Sequence, residues 1–68
     1  MEISARNQLT GTVRSVKSGA VMAEVEVNVD PAIITAAITD ASRERLGLKE
    51  GDEVLVIIKA TEVMLATR

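Results

Sequence analysis

Hydrogen-bond donors and positive side chains fall at the ends of the elements that the sequence predicts. They are Ser4, Arg6 and Asn7 before the first strand, Thr39 and Ser42 at the start of a short helix, and Lys59 after an apolar segment. The first turn of a helix has unpartnered amides and the positive end of the helix dipole, so hydroxyls placed there favour an anion. The alternative is that Thr39 only caps the helix and Ser42 is solvated.

Conventional catalytic or metal chemistry has few residues to use, because the chain contains neither Cys nor His. No spacing joins a Ser or Thr nucleophile to a Lys, Asp or Glu base. Glu24 and Glu26 are two residues apart on one strand, as on a solvated sheet face. The segment 49–52 lacks the acidic spacing of a calcium loop and the glycines of a phosphate loop. We therefore expect no enzyme, no cofactor and no site for a bare metal cation.

The length and composition indicate one small domain, residues 1–68, which we expect to need association with further copies of the chain for stability. A chain this short buries only about 60% of the surface that its unfolded form exposes. Since no disulfide is possible, oligomerisation is the expected support. A net charge of −2 and the absence of aromatic side chains argue against nucleic-acid binding. No apolar segment has membrane-spanning length and no signal peptide is evident, so we expect a cytoplasmic protein without a membrane partner.

Apolar and polar residues alternate along most of the chain, which predicts strands. Five strands are expected, at 9–17, 20–29, 33–38, 53–59 and 63–67. In the second strand the core side runs from Val21 to Val29 at every other residue, with Glu24 on the opposite side. The first strand changes phase beside Gly11, which predicts a bulge or bend there. Residues 39–47 predict one short helix that Thr39 or Asp40 caps and Gly47 ends.

Five strands with one short helix between the third and fourth form the element order of a small OB-type barrel. We therefore predict an all-β fold of this type. Other small all-β folds share this element order and remain compatible with the sequence.

Three segments carry a resemblance to a known family: 3–9 (ISARNQL), 37–42 (AITDAS) and 58–64 (IKATEVM). In this order and spacing they resemble the molbindins, the free-standing members of the TOBE domain family. The resemblance implies an OB-type fold, dimers that exchange a strand, and a hexamer assembled as a trimer of dimers. It also implies binding of molybdate or tungstate between subunits.

The resemblance also implies which residues bind the oxyanion. The segment before the first strand would supply Ser4, the backbone around Ala5 and Arg6, and Asn7. The end of the fourth strand would supply Lys59 and Ala60. A neighbouring subunit would supply Thr39 and Ser42. At position 60 some relatives carry a hydroxyl, so Ala60 could offer only its backbone amide. A second class of oxyanion site is also implied, for which the candidate residues are Lys17, Ser18, Gly19 and Ala20.

The chemistry of molybdate agrees with these residues. Its four oxygens only accept hydrogen bonds, so the site should supply donors and about two positive charges, here from Arg6 and Lys59. Phosphate near neutral pH carries a proton that such a site would leave unpaired, at a cost of roughly 1–3 kcal/mol. Sulfate could be excluded only by its smaller size, and tungstate should not be distinguished. The expected role is storage and homeostasis of molybdenum in the cytoplasm.

The sequence is compatible with two other functions. The segment 46–54 (LGLKEGDEV) is similar to a segment of swapped-hairpin DNA-binding regulators, although Leu-Gly-Leu before a Gly-Asp turn also occurs wherever a short helix precedes a strand. A structural oligomer without a ligand is the third possibility.

Overall fold

A computed structural model describes residues 1–67 of the chain. It contains four strands, one α-helix and one turn of 3-10 helix. In chain order these are β1 (Asn7–Lys17), β2 (Met22–Val29), β3 (Ala32–Thr39), α1 (Asp40–Leu46), β4 (Glu53–Ile58) and the 3-10 turn Ala60–Glu62. The first four predicted strands and the helix are therefore present, with ends shifted by a few residues.

The four strands form one antiparallel sheet in the order β3-β2-β1-β4. The start of β1 pairs with the end of β4, where Asn7 lies opposite Ile58. The end of β1 pairs with β2, where Lys17 lies opposite Glu24. The end of β3 lies beside the start of β2, where Thr39 is opposite Met22. The two ends of β1 therefore lie near different parts of the chain.

The core lies on one face of this sheet, as the alternating pattern of β2 predicts. Ala23, Val25 and Val27 are buried on that face together with Val13 of β1. Several half-buried residues pack against them, namely Val16, Val29, Ile38, Leu48, Val54 and Val56. The prediction for Val21 was wrong: it precedes β2 and is 72% exposed. Its side chain lies outside the paired strand, so the alternation no longer determines its orientation.

The bulge in β1 lies between Val13 and Ser15, and not beside Gly11 as the phase change suggested. The extra residue, Arg14, lets two consecutive side chains reach one carboxylate on β2. The Ser15 hydroxyl donates to Glu26 Oε1 over 3.0 Å, and Arg14 Nε lies 3.8 Å from the same oxygen. Glu24 and Glu26 thus remain on the solvated side of the sheet, as predicted.

The helix prediction is confirmed in detail. Thr39 is the N-cap, since its Oγ1 accepts a hydrogen bond from the backbone amide of Ser42. Gly47 ends α1 in the left-handed conformation, at φ 65°, and its amide donates to the carbonyl of Glu44. A residue with a Cβ adopts this conformation only at a cost, so glycine suits the position.

The fifth strand at 63–67 is absent from residues 1–67 of this single chain. After the 3-10 turn the backbone forms no ladder, and the apolar side chains Val63, Met64 and Leu65 are 45%, 92% and 94% exposed. A strand exists only with a partner strand, and within one chain this segment pairs with neither outer strand of the sheet. The sheet therefore has four strands with β3 and β4 at its edges, and the barrel is not closed.

In the region that the structure describes, the helices are too short or too polar to span a lipid bilayer.

Candidate functional site

The first group of candidate residues meets where β1 begins and β4 ends. The pairing of Asn7 with Ile58 brings the segment 4–6 and the residues Lys59 and Ala60 to the same corner of the sheet. The Asn7 side chain strengthens this corner, because its Nδ2 donates to the carbonyl of Ile58 over 3.1 Å. Six of the eight predicted oxyanion ligands are thus placed close together by one strand pair.

The two cations of this corner are available to an anion. Arg6 and Lys59 are exposed, and within residues 1–67 neither forms an ion pair. The ion pairs that do occur involve Arg14, Arg43 and Lys49, which lie elsewhere. Arg6 precedes Asn7 and Lys59 follows Ile58, so these two unneutralised positive charges and the hydroxyl of Ser4 belong to the same end of the β1–β4 pair.

Gln8 also belongs to this corner, although the sequence did not single it out. Its Nε2 donates to the carbonyl of Ala5 over 2.9 Å, which closes a tight local loop around Arg6. The side chain is exposed and polar, so neither its burial nor its periodicity distinguishes it from an ordinary surface residue. Only its hydrogen bond to the Ala5 carbonyl connects Gln8 with the candidate ligand residues.

The second group, Thr39 and Ser42, lies at the start of α1 and forms a compact hydrogen-bonded pair. Thr39 Oγ1 donates to Ser42 Oγ over 2.8 Å and accepts from the Ser42 amide over 3.1 Å. The amide of Asp40 donates to the carbonyl of Val21 over 2.7 Å. The cap therefore occupies the Ser42 amide, and the Val21 carbonyl occupies the Asp40 amide, so neither amide is free for an anion. The proton of the Ser42 hydroxyl remains for an external acceptor.

An ionised carboxylate lies next to these hydroxyls, and a cation neutralises it. Asp40 accepts from Arg43 Nε over 2.8 Å and from Nη2 over 3.2 Å. This hydrogen bonding, reinforced by the positive charge of Arg43 and by the Gly19 amide, lowers the pKa of the Asp40 carboxyl against the opposing effect of desolvation. The same pair raises the pKa of Arg43. The negative charge is thus compensated within one turn of the helix.

The two groups lie at opposite ends of the sheet. The first group is at the Asn7 end of β1, whereas Thr39 pairs with Met22 beside the Lys17 end. Ten residues of strand separate these ends, which is about 33 Å of extended chain. The longest dimension of the chain is 36 Å. One chain therefore does not bring its own two groups together.

Comparison with known proteins identifies the family of the chain. The family model that describes the TOBE domain matches residues 3–65. The chain belongs to the TOBE domain family. The resemblance seen in the three sequence segments is confirmed, because the match covers all of them.

Relatives of this TOBE domain are known over almost its full length. "Molybdenum-pterin-binding protein 3" of Clostridium pasteurianum is 48% identical over 66 residues, covering 96% of this chain and 97% of that protein. The solved structure of a molybdate-binding protein from Sporomusa ovata superposes with a TM-score of 0.94 at 39% identity, covering 98% and 100% of the two chains. The molybdate-bound structure of the cytoplasmic protein ModG has a TM-score of 0.84 at 43% identity, covering 88% of this chain and 43% of that one.

The loop proposed for a second oxyanion class adjoins a small hollow of about 230 Å³ in this TOBE domain. Lys17, Ser18 and Gly19 line it, whereas Ala20 does not. Glu24 also lines it, so the hollow has one carboxylate for its one cation. A Cβ at Gly19 would come within 2.6 Å of the Met22 carbonyl oxygen, so glycine is required there.

A second, wider concavity of the TOBE domain is mainly aliphatic and does not suit an anion. It has a volume of about 500 Å³ and lies over the core face of the sheet. Its walls come from all four strands and from Leu46 and Leu48 after the helix. Two carboxylates, Asp52 and Glu53, lie at its margin and would repel an oxyanion. This groove is where the predicted barrel stays open.

Proposed function

We propose that this TOBE domain binds molybdate between copies of the chain. The observation that carries the proposal is the corner of Ser4, Arg6, Asn7 and Lys59, where neither cation forms an ion pair with any residue from 1 to 67. The names of the relatives support it, since a molybdenum-pterin-binding protein and a molybdate-binding protein match almost the whole chain.

The second half of the site comes from another copy in this proposal. Thr39 and Ser42 are separated from the first group by about 33 Å of strand, so one chain cannot surround an ion with both. A neighbouring copy can present its own Ser42 hydroxyl to the Arg6 and Lys59 corner. The Ala60 amide, which has no side-chain donor beside it, completes the set.

The donor set favours the oxyanion over a pterin. A pterin ring offers a flat π face and an edge of mixed donors and acceptors, which aromatic and carboxamide side chains usually recognise. The chain has no aromatic residue, and its groove is lined mainly by aliphatic side chains. Clustered cations and hydroxyls instead match a tetrahedral dianion that only accepts hydrogen bonds. We propose that tungstate, which has nearly the same size and charge, binds equally well.

We propose that the chain forms a dimer by exchanging a strand. Three such dimers would then form the hexamer that contains the binding sites. Two features of the chain support exchange. The segment 63–67 presents exposed apolar side chains without a strand partner, and β3 and β4 leave open edges beside an aliphatic groove. A strand from a second copy would pair an open edge and close the barrel. A core this small also needs such support.

The loop 17–20 is our proposal for the second, weaker class of oxyanion position. Lys17 supplies one positive charge there, and Ser18 and the Ala20 amide are the available donors, because the Gly19 amide is already hydrogen-bonded to the Asp40 carboxyl. Because Glu24 lines the same hollow, an ion would need the charges of neighbouring copies to bind.

The physiological role that we propose is storage and homeostasis of molybdenum in the cytoplasm. The structural relative ModG is a cytoplasmic molybdate-binding protein, which supports that location. The relatives are named for binding, so the chain is a binding protein and not an enzyme. The resemblance of 46–54 to DNA-binding regulators has a local explanation, since Gly47 ends α1 and Gly51, at φ 93°, forms the turn before β4.

Isothermal titration against molybdate, tungstate, sulfate and phosphate tests the function directly. We expect heat and saturation with molybdate and tungstate, and at most weak binding of sulfate and phosphate. Native mass spectrometry of the same samples reports the number of chains and bound ions. Molybdate that fails to bind the intact assembly would leave a structural oligomer as the better description.

A further inference from the structure

Two consecutive carboxamides, Asn7 and Gln8, each donate to a backbone carbonyl at the corner that we propose binds molybdate. Asn7 Nδ2 contacts the carbonyl of Ile58 over 3.1 Å, and Gln8 Nε2 contacts the carbonyl of Ala5 over 2.9 Å. A carbonyl only accepts, so the nitrogen of each carboxamide faces it.

Each of these carbonyls shares a peptide plane with the amide of a candidate ligand residue. The Ala5 carbonyl is joined to the nitrogen of Arg6, and the Ile58 carbonyl is joined to the nitrogen of Lys59. Both peptides are trans, since Asp30-Pro31 is the cis bond of the described chain. In a trans peptide the C=O and N–H bonds point in opposite directions. Holding the carbonyl therefore directs the amide away from the carboxamide.

We propose that Asn7 and Gln8 are positioning residues that orient the backbone amides of Arg6 and Lys59 toward the oxyanion. The inference rests on the proposed function and deepens it. Gln8 fixes the peptide of the Arg6 amide, and Asn7 fixes the peptide of the Lys59 amide. The two cations thus contribute main-chain donors as well as charge. Asn7, which the sequence predicted as a direct ligand, has its carboxamide engaged with the chain itself.

Preorganised donors bind an anion more tightly than mobile ones, because their ordering precedes binding. Both amides lie just beyond the sheet ladder. The segment 4–6 precedes β1 and Lys59 follows β4, so neither amide has a strand partner of its own, whereas the Ile58 carbonyl belongs to the last pair of the ladder.

The test uses Gln8→Met, which keeps the length of the side chain and removes its donor. Gln8 is exposed, so the melting temperature of the ligand-free protein should stay the same. Molybdate affinity should fall roughly three- to tenfold, the usual effect of one hydrogen bond. The matched control is Thr10→Val, an exposed position two residues further along the same side of β1, which should bind like the parent.

Nuclear magnetic resonance of the amides distinguishes positioning from general loosening. In the parent protein, molybdate should shift the Arg6 and Lys59 amide resonances. Gln8→Met should abolish the Arg6 shift and keep that of Lys59, and Asn7→Leu should do the reverse. Loss of both shifts in both variants, or parent-like affinity of Gln8→Met, would overturn the inference. If the parent protein binds molybdate but neither amide resonance shifts, the positioning role of Asn7 and Gln8 is wrong and the proposed function is unaffected. If the parent protein does not bind molybdate, the proposed function is wrong.

Discussion

Gly11 of β1 lies against Val27 of β2 so closely that no other residue fits. A Cβ built on Gly11 would lie 2.6 Å from Val27 Cγ1 and 2.8 Å from the backbone oxygen of Asn28. Real Cβ atoms do not approach other atoms this closely, so the strands come together here because the side chain is absent. Val27 is one of the buried core residues, and Val13, two residues after Gly11 in β1, is another.

Substituting Gly11 by Ala should therefore destabilise the fold. Because one of the clashes is with a backbone oxygen, a side-chain rotation cannot relieve it. We expect a loss of about 1–3 kcal/mol in the free energy of unfolding, as for other overpacked core positions. Urea denaturation measures this loss. The exposed neighbour Thr10→Ala should change stability by only about 0.5 kcal/mol or less.

Arg6→Ala should weaken molybdate binding strongly. It removes one of two cations at a corner where no carboxylate neutralises them within the described residues. Hydrogen bonds to charged groups contribute about 1.5–3 kcal/mol, which corresponds to roughly a 10- to 150-fold loss of affinity. Titration calorimetry measures it. Arg14→Ala is the matched control, since Arg14 lies 3.8 Å from Glu26 on the outer face of the sheet. Unchanged affinity of the Arg6 variant would remove Arg6 from the site.

The sequence predicts those parts of the fold that depend on neighbours along the chain. Alternation places Val25 and Val27 in the core, and the cap residues Thr39 and Gly47 define α1, because strand faces and caps are local properties. Features that depend on a distant partner were harder to locate. The bulge at Arg14 is determined by pairing with β2, and the phase change in β1 located it only to within a few residues.

The fifth strand and the two halves of the site illustrate the same limit. The pattern of 63–67 is that of a strand, but a ladder needs a second strand that this chain does not supply. The sequence indicates which donors an oxyanion site could use, but only the register places Asn7 and Thr39 at opposite ends of the sheet. The sequence did not indicate Gln8, because its hydrogen bond to the Ala5 carbonyl depends on the folded backbone. Neither composition nor periodicity contains that information.

The Asp40–Arg43 pair should make the stability of the fold depend on pH in the acid range. The hydrogen bonds and charge of Arg43 lower the pKa of Asp40 in the folded state. The stabilisation is therefore complete above the unfolded pKa of about 3.9 and is lost as the pH falls through the lower folded value. Thermal melts from pH 2 to 6 should show less loss on acidification for Asp40→Asn than for the parent. Glu50→Gln, in the exposed turn before β4, should follow the parent curve.

Molybdate should raise the melting temperature of the assembly, and phosphate at equal concentration should not. A ligand that binds only the assembled native state stabilises it by RT ln(1 + [L]/Kd), about 2.7 kcal/mol at 100 times Kd. Phosphate carries a proton near neutral pH that a site made of donors leaves unpaired. Differential scanning fluorimetry over a concentration series of each anion measures both shifts. Equal shifts with the two anions would contradict the proposed donor set.

Leu65→Glu should separate folding of the single chain from assembly. Leu65 is 94% exposed in one chain, so a carboxylate there costs the isolated fold nothing. In a strand-exchanged assembly, the same side chain lies against another copy, where a buried charge without a partner is strongly unfavourable. Analytical ultracentrifugation should show smaller species for this variant, and molybdate binding should be lost with the assembly. Val21→Glu is the control, since Val21 is also exposed and apolar but lies in the loop before β2. A Leu65→Glu protein that keeps the parent's sedimentation coefficient would show that 63–67 takes no part in the contact between copies.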